Sequence, residues 1–340
     1  RIMENNSAIL EELSSLKKEF EEFKKQFGNF SELTLKEANR KNTERPFGML
    51  QLPSKGLFYS TKNEFLLIGY LTYFEENILT SEMMHEADIA MSIILEKVIA
   101  SNDFDIKEIL SCDVQAISMF LRAYAYGNSI EIDVDCPHCN KKDKQTIMIS
   151  NFKSKDIDLI PNEDGEFEII SPKFGKKMKI KPRTYFEDMK FNKGPEKKQV
   201  EIMNFNLVEY EGERDGEKIK KMLSSLKIME SREVKKTILD NLPGIDTSVV
   251  YNCEFCENET TINFGHNGAD FLRLPASFMN NVLEELFLLS HYGTSTSIDD
   301  VKKMTVGERR WMINRLSEEL SKKKEAEQAA MRSAKSKGKK

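Results

Sequence analysis

The sequence predicts an α+β chain, largely helical, and three observations lead there. Two Cys-x-x-Cys pairs, Cys136/Cys139 and Cys253/Cys256, each follow a stretch in which apolar and polar residues alternate. The tetrapeptide Thr-Tyr-Phe-Glu occurs at 72–75 and again at 184–187, each time after a strand pattern. A seven-residue apolar period runs through residues 9–30. Together they describe two related strand–helix–knuckle units joined by a split four-cysteine zinc ribbon, with an N-terminal heptad helix.

Residues 1–35 carry the period. Ile9, Leu13, Leu16, Phe20, Phe23, Phe27 and Phe30 are spaced alternately by four and three, with Glu and Lys between them. This is the seam of a coiled coil or of an amphipathic helix laid against a partner or the protein's own body. Leu13, Leu16, Phe20, Phe23 and Phe27 are therefore candidate partner-binding residues, and self-association through this helix is one expectation. Residues 36–46 are polar, end in Arg45-Pro46, and read as a linker.

The first unit is expected over 47–150. Pro53 and Gly56 favour a turn between apolar anchors in Leu52-Pro-Ser-Lys-Gly-Leu-Phe-Tyr59. Pro53, Lys55, Gly56 and Tyr59 on that turn are further candidates for contact with a partner. Phe65 to Leu71 is an apolar strand, and helices follow over 81–100 and 106–126, with Thr80 or Ser81 as cap of the first and Asp113 capping a continuation of the second. Ile130, Ile132 and Val134 alternate with polar residues into the first knuckle, and Thr146–Ile149 return.

The second unit, 151–268, repeats that order: short strands over 166–182, a helical tract over 184–240 with a charged loop at 211–217, then Val249–Tyr251 into the second knuckle and Ile262 and Phe264 on the return. Residues 269–321 read as helical, with starts at Ser297 and Thr305. Residues 322–340 carry eight basic and two acidic residues and read as a basic, disordered tail.

Composition narrows the function classes. The 340 residues hold 51 Lys+Arg against 56 Asp+Glu, a net charge of −5. Removing the +6 of residues 322–340 leaves −11 on the body. An acidic body disfavours nucleic-acid binding, which needs a basic face. No run of residues is apolar enough to span a bilayer, and the first residues lack a signal-peptide core. No Gly-x-Ser-x-Gly, His-Glu-x-x-His or phosphate-loop signature is present, so no enzyme activity and no catalytic residue is expected.

The cysteines carry the chemistry. A Cys-x-x-Cys at a hairpin tip aims two sulfurs at one point, and two such tips close a tetrahedral site for Zn2+. Cys136, Cys139, Cys253 and Cys256 are the expected ligands of one structural zinc per chain, and 113 residues separate the pairs. The competing reading is redox chemistry, since Cys-Pro-His-Cys is also a thiol-oxidant tetrapeptide. Strand pattern on both sides of it, and a matching second pair, favour the metal. His138 is flanked by the two cysteines that already supply the usual ligands. The remaining Cys112 reads as a small buried hydrophobe.

Leu52–Tyr59 resembles the opening motif of the T-even-type bacteriophage baseplate hub and tail-assembly protein family. The order Asp113, Phe120-Leu-Arg122, Tyr126-Gly127 and Cys136-Pro-His-Cys139 is similar too. Phe271–Phe278, His291-Tyr-Gly293 and Glu308-Arg-Arg-Trp311 look like the C-terminal part of longer members. The resemblance covers about residues 46–320. It implies a non-enzymatic component of a contractile tail, made in the host cytoplasm, with other baseplate hub proteins or the tape-measure protein as partners and the virion tail baseplate as a destination. A transient tail-assembly chaperone and a zinc-ribbon nucleic-acid-binding protein are the alternatives.

Overall fold

The computed structural model describes residues 45–86, 89–101, 104–156, 160–192, 206–263, 271–272, 274–293 and 296–337. The heptad segment, with Leu13, Leu16, Phe20, Phe23 and Phe27, lies outside the described residues.

The chain opens with the antiparallel hairpin β1 (Phe47–Gln51) and β2 (Phe65–Gly69), in which Phe47 pairs with Gly69 and Gln51 with Phe65. Helices α1 (Tyr73–Leu79), α2 (Glu82–Glu86), α3 (Ala90–Val98) and α4 (Ser111–Tyr126) follow. Then come the first knuckle hairpin, β3 (Ser129–Asp135) and β4 (Lys142–Met148), and the short β5 (Lys153–Ser154). Next come hairpin β6 (Phe167–Ile170) and β7 (Lys177–Ile180), helix α5 (Tyr185–Asn192), strand β8 (Leu207–Tyr210), helices α6 (Gly216–Ser224) and α7 (Ile228–Asn241), then β9 (Ile245–Asp246) and the second knuckle hairpin, β10 (Ser248–Asn252) and β11 (Glu259–Asn263). Helices α8 (Phe278–Tyr292), α9 (Ile298–Lys303) and α10 (Val306–Lys337) complete the fold. The mixture of helix and strand is that of an α+β protein.

The repeated tetrapeptide has a local physical role. Thr72 closes a capping box with Glu75 at the start of α1. Thr184 does the same with Glu187 at α5, its N–H donating to Glu187 at 3.0 Å and its hydroxyl accepting from the Glu187 N–H at 3.3 Å. Each box satisfies two N–H groups that a helix start leaves without partners. A third, Thr305 with Glu308, opens α10.

Two cores result. The larger gathers Leu50, Leu66, Ile68, Ile94, Leu95, Ile109, Ile117 and Leu121 with Ile147, Phe152, Ile245, Phe271, Leu272 and Val306. The smaller holds Phe167, Ile169, Met178, Ile180, Tyr210, Ile219, Leu223, Val234 and Ile238, where α6 and α7 cover the β6–β7–β8 sheet. Phe58 packs on both and meets Phe167 edge to face at 5.3 Å. The pair β5–β9 brings together the two ends of the segment that holds the smaller core, and Ile245 of β9 packs in the larger one. Helix α5 leans instead on the larger core: Tyr185 and Phe186 pack there, and the Tyr185 N–H donates to the Ile109 carbonyl at 2.7 Å.

Three expectations are corrected. The tract 184–240 is not helical throughout, because Leu207–Tyr210 pairs with β7 and becomes the third strand of a sheet. Asp113 does not cap a helix continuation. Helix α4 starts at Ser111 after Leu110, and Asp113 is fully buried in its first turn. The tail is not disordered from Lys322: α10 runs on to Lys337, because its Lys, Glu, Gln, Ala and Met are strong helix formers.

Two buried polar clusters lock the larger core. The Asp113 carboxylate accepts from the Ser54 N–H at 3.0 Å and from the Tyr59 hydroxyl, and the Leu110 N–H donates to that hydroxyl at 3.1 Å. Burial pushes Asp113 above the ordinary carboxylate range, against the pull of its bonds to Ser54 and Tyr59. Arg309, with none of its side chain exposed, pairs with Glu76 and donates to Glu285 at 2.7 Å, and the Tyr126 hydroxyl donates to Glu76 at 3.2 Å. This triad ties α10 and α8 to α1.

Candidate metal centre

Each knuckle is built by the same backbone pattern. The Cys136 N–H donates to the Lys141 carbonyl at 3.0 Å, and the Asn140 N–H returns to the Cys136 carbonyl at 2.8 Å. In the second, the Cys253 N–H donates to the Asn258 carbonyl at 3.1 Å, and the Glu257 N–H to the Cys253 carbonyl at 2.9 Å. The fourth residue past the first cysteine, Asn140 or Glu257, has φ of 55° or 57°. That left-handed residue turns the chain back into the return strand, and Asn tolerates it better than Glu.

Strand registers bring the tips together. Asp135 pairs with Lys142 and Asn252 with Glu259, so each Cys-x-x-Cys lies just beyond a hairpin's last pair. Val134, Cys136, Tyr251 and Cys253 form a small buried cluster between the hairpins, with Ile132, Cys139 and Cys256 against it. The four Sγ atoms all lie within 4.8 Å of one another. Cys136 Sγ is 3.7 Å from Cys256 Sγ, and Cys139 Sγ is 3.8 Å from Cys253 Sγ.

These distances fit a metal and not disulfides. Four thiolates about 2.3 Å from a tetrahedral Zn2+ stand about 3.8 Å apart. A disulfide needs about 2.05 Å, and all four cysteines are free thiols. The sulfurs also receive donors: the Phe255 N–H reaches Cys253 Sγ at 3.4 Å and the Asn258 side-chain amide reaches Cys256 Sγ at 3.5 Å. Burial pushes the Cys253 thiol up to about 11. Burial also acts on Cys136, but the N–H groups of Cys139 and His138 outweigh it and bring that thiol down to about 6. The two thiols are thus pushed in opposite directions by their surroundings. A bound cation would displace the remaining thiol protons. All four predicted ligands meet at one point.

The predicted contact residues fare differently. Pro53, Gly56 and Tyr59 are buried within the protein, Tyr59 at 1% exposure, so they do not present a partner surface. A Cβ on Gly56, whose φ is +67°, would sit 2.2 Å from the Asn63 carbonyl oxygen, so the turn requires glycine. Lys55 does face outward and pairs with Asp156 at 2.9 Å. Asp143 is a further residue of the site that no motif marks: it is a buried carboxylate between the hairpins, and only its strand phase with Ile147 signals that it faces inward.

A family model described as T4 bacteriophage base plate protein matches residues 70–272, a span that takes in both knuckles. No significant match is found among curated proteins or among solved structures.

Proposed function

Because the chain belongs to the T4 bacteriophage base plate protein family, we propose that it is a non-enzymatic structural component of the baseplate hub of a contractile tail, stapled by one structural Zn2+. The four-sulfur cluster carries the scaffold half of this reading. Four thiolates complete a tetrahedral shell and leave no position for substrate or reactive water. The ion supplies cross-linking: it joins two cysteine pairs separated by 113 residues in sequence, and its binding energy becomes folding energy. No helix among the described residues is long and apolar enough to cross a membrane.

The partners of this scaffold are other baseplate hub proteins or the tape-measure protein, met during assembly in the host cytoplasm. The heptad positions Leu13 to Phe27 are the proposed contact, with a partner helix or a second copy. Mass spectrometry of purified particles, with tagged-chain purification from infected cells and metal analysis of the purified chain, tests this. The expected result is the chain in mature tails, with hub proteins bound and one zinc per chain. Its presence in assembly intermediates and absence from mature particles would replace the scaffold by a transient chaperone. A steep salt-dependent gel shift would favour a nucleic-acid role instead.

A further inference from the structure

We infer that Asp143 is a positioning residue for the metal centre, holding the second knuckle in register over the first before any ion binds. The inference rests on the metal reading above and adds the device that assembles the site. Asp143 lies on β4 opposite Val134, on the face turned toward the other hairpin. It is only 2% exposed, at a place where the strand's alternation calls for an apolar side chain. A buried carboxylate is costly unless its oxygens are satisfied. Here one oxygen, Oδ2, accepts from the Gln145 side-chain amide at 3.1 Å and from the Glu254 N–H at 3.0 Å. The second bond crosses from one hairpin to the other and ends one residue after Cys253.

That placement fixes the geometry. Glu254 lies inside the Cys253–Cys256 turn, so a bond to its N–H sets where both sulfurs of that turn stand relative to Cys136 and Cys139. A second tie runs the same way: the Lys141 ammonium lies 4.9 Å from the centre of the Phe255 ring. Phe255 is about half exposed, so that contact is a weak one. The charge-assisted bond at Asp143 is the stronger. Both ties join the hairpins without a metal, so the two turns meet already aligned. Preorganised sites bind more tightly because less ordering remains for the binding step.

The test is a Cd2+ titration of the full chain, followed by thiolate-to-metal absorption, with hydrogen exchange of the Glu254 amide read in the metal-free protein. Asp143→Ala should bind Cd2+ roughly tenfold to a hundredfold more weakly, and the Glu254 amide should exchange faster. Asp143→Asn keeps an acceptor oxygen but gives up the charge, so it should lose clearly less than Asp143→Ala in both readouts, which also separates positioning from a failure to fold. Unchanged affinity in Asp143→Ala would overturn the inference. So would an equal loss in both variants, which would assign the effect to charge. If the unaltered chain develops no thiolate absorption, the metal reading itself falls, and this inference with it.

Discussion

Replacing Arg309 by Met removes a cation with none of its side chain exposed and leaves Glu76, 1% exposed, facing Glu285 without a counter-ion. Breaking a buried pair from one side costs about 3–5 kcal/mol. At about 2.1 cal/mol/K per residue, 340 residues give an unfolding entropy near 0.7 kcal/mol/K, so the expected fall in Tm is roughly 4–7 °C. The loss should depend on pH. Burial already raises Glu76 above its ordinary value of 4.5, against the pull of Arg309. A carboxyl raised on folding favours the folded state most at low pH, and that contribution is lost as pH rises through the folded value. Without Arg309 the folded value rises further. Arg309→Met should therefore lose most stability at neutral pH and least near pH 4.5. Thermal scans by circular dichroism at several pH values measure this, with Glu76→Gln/Arg309→Met as the second arm. The double variant buries no lone charge and should recover part of the loss. A single variant whose Tm stays within a degree of the unaltered chain at pH 7, or whose loss is the same at every pH, would refute the reasoning.

Three further outcomes are expected. Cys136→Ser and Cys253→Ser should each abolish stoichiometric metal binding, as read by elemental analysis; one variant that keeps its metal would mean the knuckles do not share an ion. Metal affinity should fall as pH falls, since the Cys253 thiol, pushed up to about 11 by burial, must lose its proton on binding; calorimetry in two buffers of different ionisation enthalpy counts the protons released. Tyr59→Phe removes the hydroxyl shared by Asp113 and the Leu110 N–H and should cost about 1–3 kcal/mol, seen as a lower denaturation midpoint.

What could be read from the sequence was local. Cys136, Cys139, Cys253 and Cys256 were legible because the spacing alone dictates a turn that presents two sulfurs. Ser297 and Thr305 were legible as helix starts because a capping box is a four-residue device. Arg309 was not, since an arginine in a charged helix reads as solvated until Glu76, 233 residues away, is known to face it. Tyr59 read as a contact residue because its hydroxyl partner Asp113 lies 54 residues on. Leu207–Tyr210 has no strand signal of its own and depends on β7 for its pairing. Long-range partners, not local propensity, decided each of these.

The smaller core enters at Lys153–Ser154 and leaves at Ile245–Asp246, and those two segments pair with each other. The thiol cluster clasps the chain again just outside them. A segment whose two ends are gripped this way has its entry and exit held side by side, so loops between them can lengthen or shorten without parting those ends. Changes in the β6–β8 sheet and its helices then reach the paired hairpins only through those clasped ends and through the contacts of Phe58 and α5 with the larger core.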